Sequence, residues 1–129
     1  MNLRDGLDWK AQSAAQALLK GSGAGEKFAI LATKTLGVLQ EAGIYSVILF
    51  LHTRRKDEQA TALKIMGTLD QQALGLASST SALRDFSSRA TYYTESICSD
   101  LHFTLMTKAL WEQTLIYTRY GAKASKSQE

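Results

Sequence analysis

The 129-residue sequence contains no proline. At average usage, roughly 5%, a chain of this length would carry about six. Because proline removes a backbone donor and breaks helix interiors, its absence leaves every segment free to be helical. The sequence also lacks runs of Val, Ile and aromatic residues that alternate with a period of two, which disfavours a fold of alternating helices and strands. These two absences favour an all-α fold.

Cysteine and long apolar runs are also scarce. The single cysteine, Cys98, cannot form an intramolecular disulfide and suits a reducing compartment such as the cytoplasm. The longest apolar run, Ile44 to Leu51, is interrupted by Ser46 and is far shorter than the ~20 residues that a membrane span requires. Met1 to Lys10 carries charges with no apolar run behind them, so no signal peptide is predicted. We expect a cytoplasmic protein that does not contact a membrane.

Apolar residues recur at intervals of three and four along most of the chain, which predicts amphipathic helices. The predicted helices cover residues 8–19, 26–42, 44–52, 57–77, 81–90 and 92–122. The third is apolar on nearly all sides and could be a buried strand, but its neighbours favour a helix. The last is apolar on two sides, so we expect it in the middle of the bundle. The sequence therefore predicts one all-α domain over residues 1–129, a bundle of five to six helices.

Local signals mark where these helices begin and end. Asp8 is expected to cap the first helix, and Gly43 is expected to end the second. The hydroxyls of Ser78 to Ser81 suit the cap of the short fifth helix. Three glycines in five positions make residues 21–25 a loop, and the small, polar residues 124–129 are expected to fray.

No residue spacing in the sequence fits a catalytic or metal site. Cys98 and His102 share a helix face, but two ligands are too few for a metal, so we expect a buried thiol and a half-exposed histidine. The glycine loop precedes Glu26 to Phe28, which matches neither a dinucleotide fingerprint nor a P-loop. His52 and His102 lie in helical patterns without a strained turn or oxyanion-forming loop nearby. The sequence predicts a non-enzymatic protein with no catalytic residue, metal, cofactor or small-molecule substrate.

Positive charge is the remaining signal. The net charge of +3 permits an anionic partner. Arg54, Arg55 and Lys56 are adjacent cations that can bridge phosphates, although cations at the end of one helix and acids at the start of the next are also what helix dipoles favour. The candidate nucleic-acid-binding residues are Lys27, Lys34, Arg54, Arg55, Lys56, Arg119 and Lys123. Aromatic residues that can stack on bases are expected, from their helical spacing, to be mostly core: Tyr92, Tyr93, Trp111, Tyr117 and Tyr120.

The order of these segments resembles a known family. The chain has an alanine-rich first helix over Trp9 to Ala17, an amphipathic second helix, a turn into an apolar helix over Ala42 to Leu51, and a closing helix over Thr107 to Lys123 with a tryptophan and a basic, aromatic end. In these features it resembles the small α-helical subunit of type III-B (Cmr-type) CRISPR effector complexes, over most of the chain. No proline precedes the Ala42-Gly43 turn, which departs from the family pattern and leaves the related type III-A small subunit as an alternative.

The resemblance implies a non-enzymatic subunit of an antiviral complex. Its copies would stack along the complex beside other CRISPR effector subunits and help hold guide RNA and target RNA in a basic groove. In that family the backbone subunits cleave the target. No individual RNA contact carries over, because the shared features are core positions. The modest charge leaves open a second interpretation, a helical adaptor or assembly protein that binds only protein partners.

Overall fold

The computed structural model of the chain describes residues 3–20, 26–76 and 83–127. These residues form six α-helices and one π-helical turn, with no strand among them. The elements are α1 (Leu3–Lys20), α2 (Glu26–Ala42), α3 (Ile44–His52), α4 (Lys56–Leu76), α5 (Phe86–Tyr92), the π-turn (Tyr93–Ile97) and α6 (Leu101–Ser127). The prediction of an all-α bundle of five to six helices is confirmed. Within the described ranges no helix combines the length and the apolar character needed to cross a bilayer.

Helix α6 lies at the centre of the bundle, as predicted, and packs along both α1 and α2. Its connection to α4 includes two hydrogen bonds. The Trp111 indole Nε1 donates to the Leu69 carbonyl at 3.1 Å, and the Gln72 amide donates to the Thr114 hydroxyl at 2.7 Å. Because Trp111 is fully buried, the hydrogen bond that its indole N–H donates also satisfies a group that would be costly to leave unpaired.

The sequence pattern predicts two apolar stripes on the last helix, and the buried face of α6 coincides with neither. The first stripe consists of Ile97, Leu101, Leu105, Ala109, Ile116 and Tyr120, and the second of Phe103, Met106, Leu110 and Tyr117. Thr107, Trp111, Thr114, Thr118 and Ala122 are buried, at spacings of three and four residues. Thr114 and Thr118 can be buried because each hydroxyl donates to the carbonyl four residues earlier, which is a common way to satisfy a threonine inside a helix. The first predicted stripe is instead exposed at four positions, namely Leu101, Leu105, Ala109 and Tyr120, and of the second stripe only Leu110 is buried.

The last predicted helix is also interrupted. The Cys98 backbone N–H donates to the Tyr93 carbonyl, five residues back, at 2.7 Å, which is the π-helical pattern. The chain then leaves the helix at residues 98–100. Helix α6 begins anew with the Asp100 carboxylate accepting from the Phe103 backbone N–H at 3.1 Å. The fifth helix is short, as predicted, but the cap in the described chain is Asp85, in a capping box with Ser88.

Helix α1 begins at Leu3, before the predicted cap. Asp8 therefore lies inside the helix, where its carboxylate accepts hydrogen bonds from the Gln12 amide and from the Tyr117 hydroxyl of α6. Helix α6 continues to Ser127, well into the segment that was expected to fray. The predicted glycine loop at 21–25, the hydroxyl-rich segment at 78–81 and residues 128–129 lie outside the described residues.

Gly43 separates α2 from α3, as predicted. Its backbone adopts φ 89° and ψ −171°, a region that is accessible essentially only to glycine. Its N–H donates to the Leu39 carbonyl at 3.0 Å and its carbonyl accepts from the Val47 N–H at 3.3 Å. The residue thus closes one helix and starts the next, which fixes the angle at which the apolar α3 enters the core.

Replacement of Gly43 by alanine is expected to lower the free energy of unfolding by about 1–3 kcal/mol, because a side chain strains this backbone conformation. Gly37 in α2 provides a matched control, since an added Cβ there meets nothing within 4 Å. Gly37→Ala is expected to raise the free energy of unfolding by about 0.4–1 kcal/mol through the unfolded state. Urea unfolding followed by circular dichroism measures both changes, and equal effects in the two variants would contradict this account of the turn.

Candidate nucleic-acid interface

Two neighbouring clefts contain four of the seven cations predicted to bind nucleic acid. The first, of about 270 Å³, lies between α2 and the start of α4 and is lined by Lys27, Ile30, Leu31, Lys34, Arg55, Asp57, Glu58 and Thr61. The second, of about 400 Å³, lies between α2 and α6 and is lined by Glu26, Ala29, Ile30, Thr33, Lys34, Ala122 and Lys123. Both clefts include Ile30 and Lys34, so they form one continuous surface along α2.

We call these two clefts, together with the three cations adjacent to them in sequence, the basic surface. Arg54 and Lys56 flank Arg55, and Arg119 lies one helical turn before Lys123. The basic surface contains seven cations and three acids, Glu26, Asp57 and Glu58. Positive charge therefore predominates on this surface.

Glu58 is the central anion of the basic surface. Its carboxylate lies 3.6 Å from Lys34 Nζ, 3.7 Å from Arg54 Nη1 and 3.5 Å from Arg55 Nε. Its side chain is only 13% exposed, yet all three separations are longer than ordinary hydrogen bonds. The Asp57 carboxylate also lies 3.7 Å from Arg55 Nε. The acids thus hold the cations close together without saturating them.

The cations differ in how freely they can move. Arg54 is the most constrained, because its Nε donates to the Phe50 carbonyl at 3.0 Å and its guanidinium lies 3.8 Å above the Phe50 ring. Lys27, Arg55 and Lys56 are exposed. We therefore expect these three to reach a ligand more readily than Arg54.

At the α6 end of the basic surface, two cations lie against an exposed aromatic ring. The Arg119 guanidinium is 4.8 Å and the Lys123 ammonium is 6.0 Å from the Tyr120 ring centre. Tyr120 is exposed, whereas Tyr92, Tyr93 and Trp111 are buried. The prediction that aromatic residues are core is confirmed for those three, and Tyr120 is an exception that can stack on a base.

The structure also reveals a buried polar cluster that sequence reasoning missed. Asp70 accepts from Arg89 Nε at Oδ2 and from the Tyr93 hydroxyl at Oδ1, both at 2.8 Å. Arg89 Nη1 lies 3.3 Å from His52 Nε2, and its Nη2 donates to the Leu83 carbonyl at 3.4 Å. We call Asp70, Arg89, Tyr93 and His52 the Asp70 cluster. It joins α3, α4, α5 and the π-turn.

Burial sets the protonation of the Asp70 cluster. It raises the pKa of the Asp70 carboxyl above 3.8, although the hydrogen bonds from Arg89 and Tyr93 act in the opposite direction. Burial and the Arg89 charge together lower the pKa of His52 below 6.5, against the weaker effect of Asp70 and Asp85. Burial and the nearby carboxylate raise the pKa of Tyr93. A neutral His52 and a protonated Tyr93 are therefore the forms that fit these hydrogen bonds.

The Cys98 and His102 pair differs from the prediction, because both residues are exposed. Cys98 lies within the break at residues 98–100 and His102 lies in the first turn of α6, so the helix face that was expected to carry both residues does not exist. The shielding that the Cys98 sulfur does receive raises the pKa of its thiol, which disfavours the reactive thiolate. Among the described residues, no group of three or more His, Cys, Asp or Glu side chains is placed to hold a metal ion.

Removal of Asp70 alone should destabilise the fold. Asp70→Ala leaves the Arg89 charge buried without its partner, and we expect a loss of about 3–5 kcal/mol in the free energy of unfolding. The double variant Asp70→Leu/Arg89→Met leaves no buried charge and should be more stable than Asp70→Ala. Urea unfolding of both variants measures the difference. A double variant less stable than the single one would show that the ion pair is not the source of the effect.

The lowered pKa of His52 predicts a loss of stability in mild acid. Above 6.5 the side chain is neutral in both the folded and the unfolded state, so it contributes nothing to the pH dependence. Below 6.5 the unfolded chain takes up a proton that the folded chain resists, so the free energy of unfolding falls as the pH drops from about 7 to 5. His52→Gln should flatten this fall. Thermal unfolding of both proteins across that range provides the test, and parallel curves would contradict it.

No protein-family model, no curated protein and no solved structure matches the chain. The grounds for a functional proposal are therefore the fold, the basic surface and the layout of segments.

Proposed function

We propose that this chain is a non-catalytic small subunit of a type III-B CRISPR effector complex. In this role it helps to hold guide RNA and target RNA for antiviral defence in the cytoplasm, with copies of itself and other effector subunits as partners. The observation that carries the proposal is the position of Lys34, which lines both clefts and so connects the α2–α4 cations to those of α6. One continuous cationic path suits a phosphate backbone better than separate patches do.

The geometry suggests how an RNA strand would be held. Exposed cations along α2 and at the start of α4 would contact successive phosphates, and Tyr120 would offer its ring to a base. The net charge of +3 makes the affinity of one copy modest. Several copies bound along one strand would gain affinity through their effective concentration.

A second candidate is a helical adaptor that binds only protein. The ion pairs of Glu58 and Asp57 favour it, because they neutralise part of the basic surface within the chain itself. Copurification from the native host separates the two candidates. RNA together with type III-B subunits supports the first, protein partners without RNA support the second, and type III-A subunits would reassign the complex.

The salt dependence of RNA binding tests the proposal directly. If one copy contacts about four phosphates, the logarithm of its affinity for single-stranded RNA should fall with the logarithm of salt concentration with a slope near −3, at ~0.7 per phosphate. Fluorescence anisotropy with a labelled oligonucleotide measures this slope. A flat response would contradict an electrostatic RNA interface.

Variants of the basic surface locate the interaction. Lys34→Gln should reduce the salt slope by about 0.7, because one phosphate contact is lost. Arg84→Gln removes one charge from an exposed residue that lines neither cleft and should leave the slope unchanged. Conversion of Arg54, Arg55 and Lys56 together to Glu should weaken binding further. Equal salt slopes for Lys34→Gln and the unmodified chain would exclude Lys34 as an RNA contact.

A further inference from the structure

An apolar groove lies between α1 and α4. It has a volume of about 700 Å³ and is lined by Trp9, Lys10, Ser13, Ala14, Ala17, Leu18, Leu63, Lys64, Gly67, Thr68, Gln71, Gln72 and Gly75. Small residues form much of it, and a Cβ added at Gly67 would meet nothing within 4 Å. Trp9 and Leu63 are 64% and 60% exposed. Large apolar side chains this exposed, beside an open groove, are typical of a protein-binding surface.

A complementary feature occurs on α6. Leu101 and Leu105 are 74% and 58% exposed, and with the exposed Ala109 they form a stripe of residues four positions apart. We call these three residues the α6 stripe. The Asp100 cap fixes the start of the helix that carries it, so the stripe is presented on a rigid element. Apolar residues at this spacing are the anchors by which a helix lies in an apolar groove.

We propose that the α6 stripe of one copy occupies the α1–α4 groove of a second copy. The inference names the surfaces through which the self-association in the proposed function would occur, and to that extent it rests on that function. None of the residues lining the groove belongs to α6. A single chain can therefore offer its stripe and accept another at the same time.

The dimensions of the two features agree. At 1.5 Å per residue, the groove wall from Trp9 to Leu18 is about 14 Å long and the stripe from Leu101 to Ala109 is about 12 Å long. A single helix segment therefore fits along the groove without overhanging it by more than a residue or two. Gly67 in the groove wall has no side chain and has open space above it, which leaves room for an apolar side chain of the incoming helix.

The charges of the two features are also complementary. Every charged residue that lines the groove is a cation, Lys10 or Lys64. The segment that carries the stripe, from the Asp100 cap to Glu112 in α6, contains two acids, Asp100 and Glu112, and one cation, Lys108. Docking would therefore bring a net negative helix against a positive groove rim, which favours this partner over a basic one.

The arrangement is head to tail, because the two contacting surfaces are different. Repetition of the same contact would add copies in one direction, without the closure that a two-fold dimer imposes. The surface involved is small, so we expect weak association of the isolated chain.

The test uses the ability of two defective variants to rescue each other. Leu63→Glu blocks the groove, and Leu105→Glu blocks the stripe. Each variant alone should remain at the single-chain mass of 14.2 kDa in sedimentation equilibrium without RNA, whereas the unmodified chain should gain mass with concentration up to about 1 mM, a range in which weak contacts form. An equimolar mixture of the two variants should form a dimer of twice the single-chain mass and nothing larger. The Leu63→Glu chain keeps an intact stripe and the Leu105→Glu chain keeps an intact groove, so each pair of chains can form one contact only.

Two further variants act as controls. Leu49→Glu introduces the same change at an exposed α3 position outside both surfaces and should associate like the unmodified chain. Gly67→Leu fills the groove without a charge and should abolish association, which keeps the test valid if Leu63→Glu does not fold. An unmodified chain that stays monomeric, single variants that still associate, or a mixture that stays monomeric would each overturn the inference. None of these outcomes changes the RNA salt slope, so failure here is distinguishable from failure of the proposed function.

Discussion

The ion pair between Asp70 and Arg89 is the interaction on which the arrangement of α3, α4, α5 and the π-turn depends. The two carboxylate oxygens of Asp70 and the guanidinium of Arg89 connect α3, α4, α5 and the π-turn. Arg89 also donates to the Leu83 carbonyl, which precedes α5. Removing two charges from water is costly, so a pair this deeply buried stabilises the fold only while every partner is in place. Because every hydrogen-bond partner must be in place, α4 and α5 can pack against each other in one geometry only. A contact made of apolar side chains alone would tolerate several packing geometries.

The sequence predicted the helices well because helical periodicity and the absence of proline act locally. It predicted the buried face of α6 poorly, because Thr107, Thr114 and Thr118 have polar side chains and are nevertheless buried. The Thr114 and Thr118 hydroxyls donate to backbone carbonyls of the same helix, and no apolar pattern in the sequence records that compensation. The break at 98–100 was missed for a related reason: the π-turn depends on a backbone hydrogen bond to Tyr93 and carries no proline or glycine to mark it.

The candidate site shows the same division between local and long-range information. The clusters around Arg55 and Lys123 were visible as neighbouring charges, but the continuity of one surface depends on how α2 packs against both α4 and α6. The Asp70 cluster left one sequence signal, an acid between Met66 and Ala73 on an otherwise apolar face. A carboxylate in that position requires a buried donor, although only the fold shows that the donors are Arg89 and Tyr93.

The shared carboxylate of Glu58 has a consequence for ligand choice. Lys34, Arg54 and Arg55 all lie within 4 Å of it, so it acts as a built-in counter-ion. An anion that draws these side chains away leaves a mostly buried carboxylate without compensation. One small anion supplies too little attraction to offset that loss, whereas a polymer that presents several charges at once displaces all three contacts together. The clefts should therefore discriminate against free inorganic phosphate in favour of long polyanions.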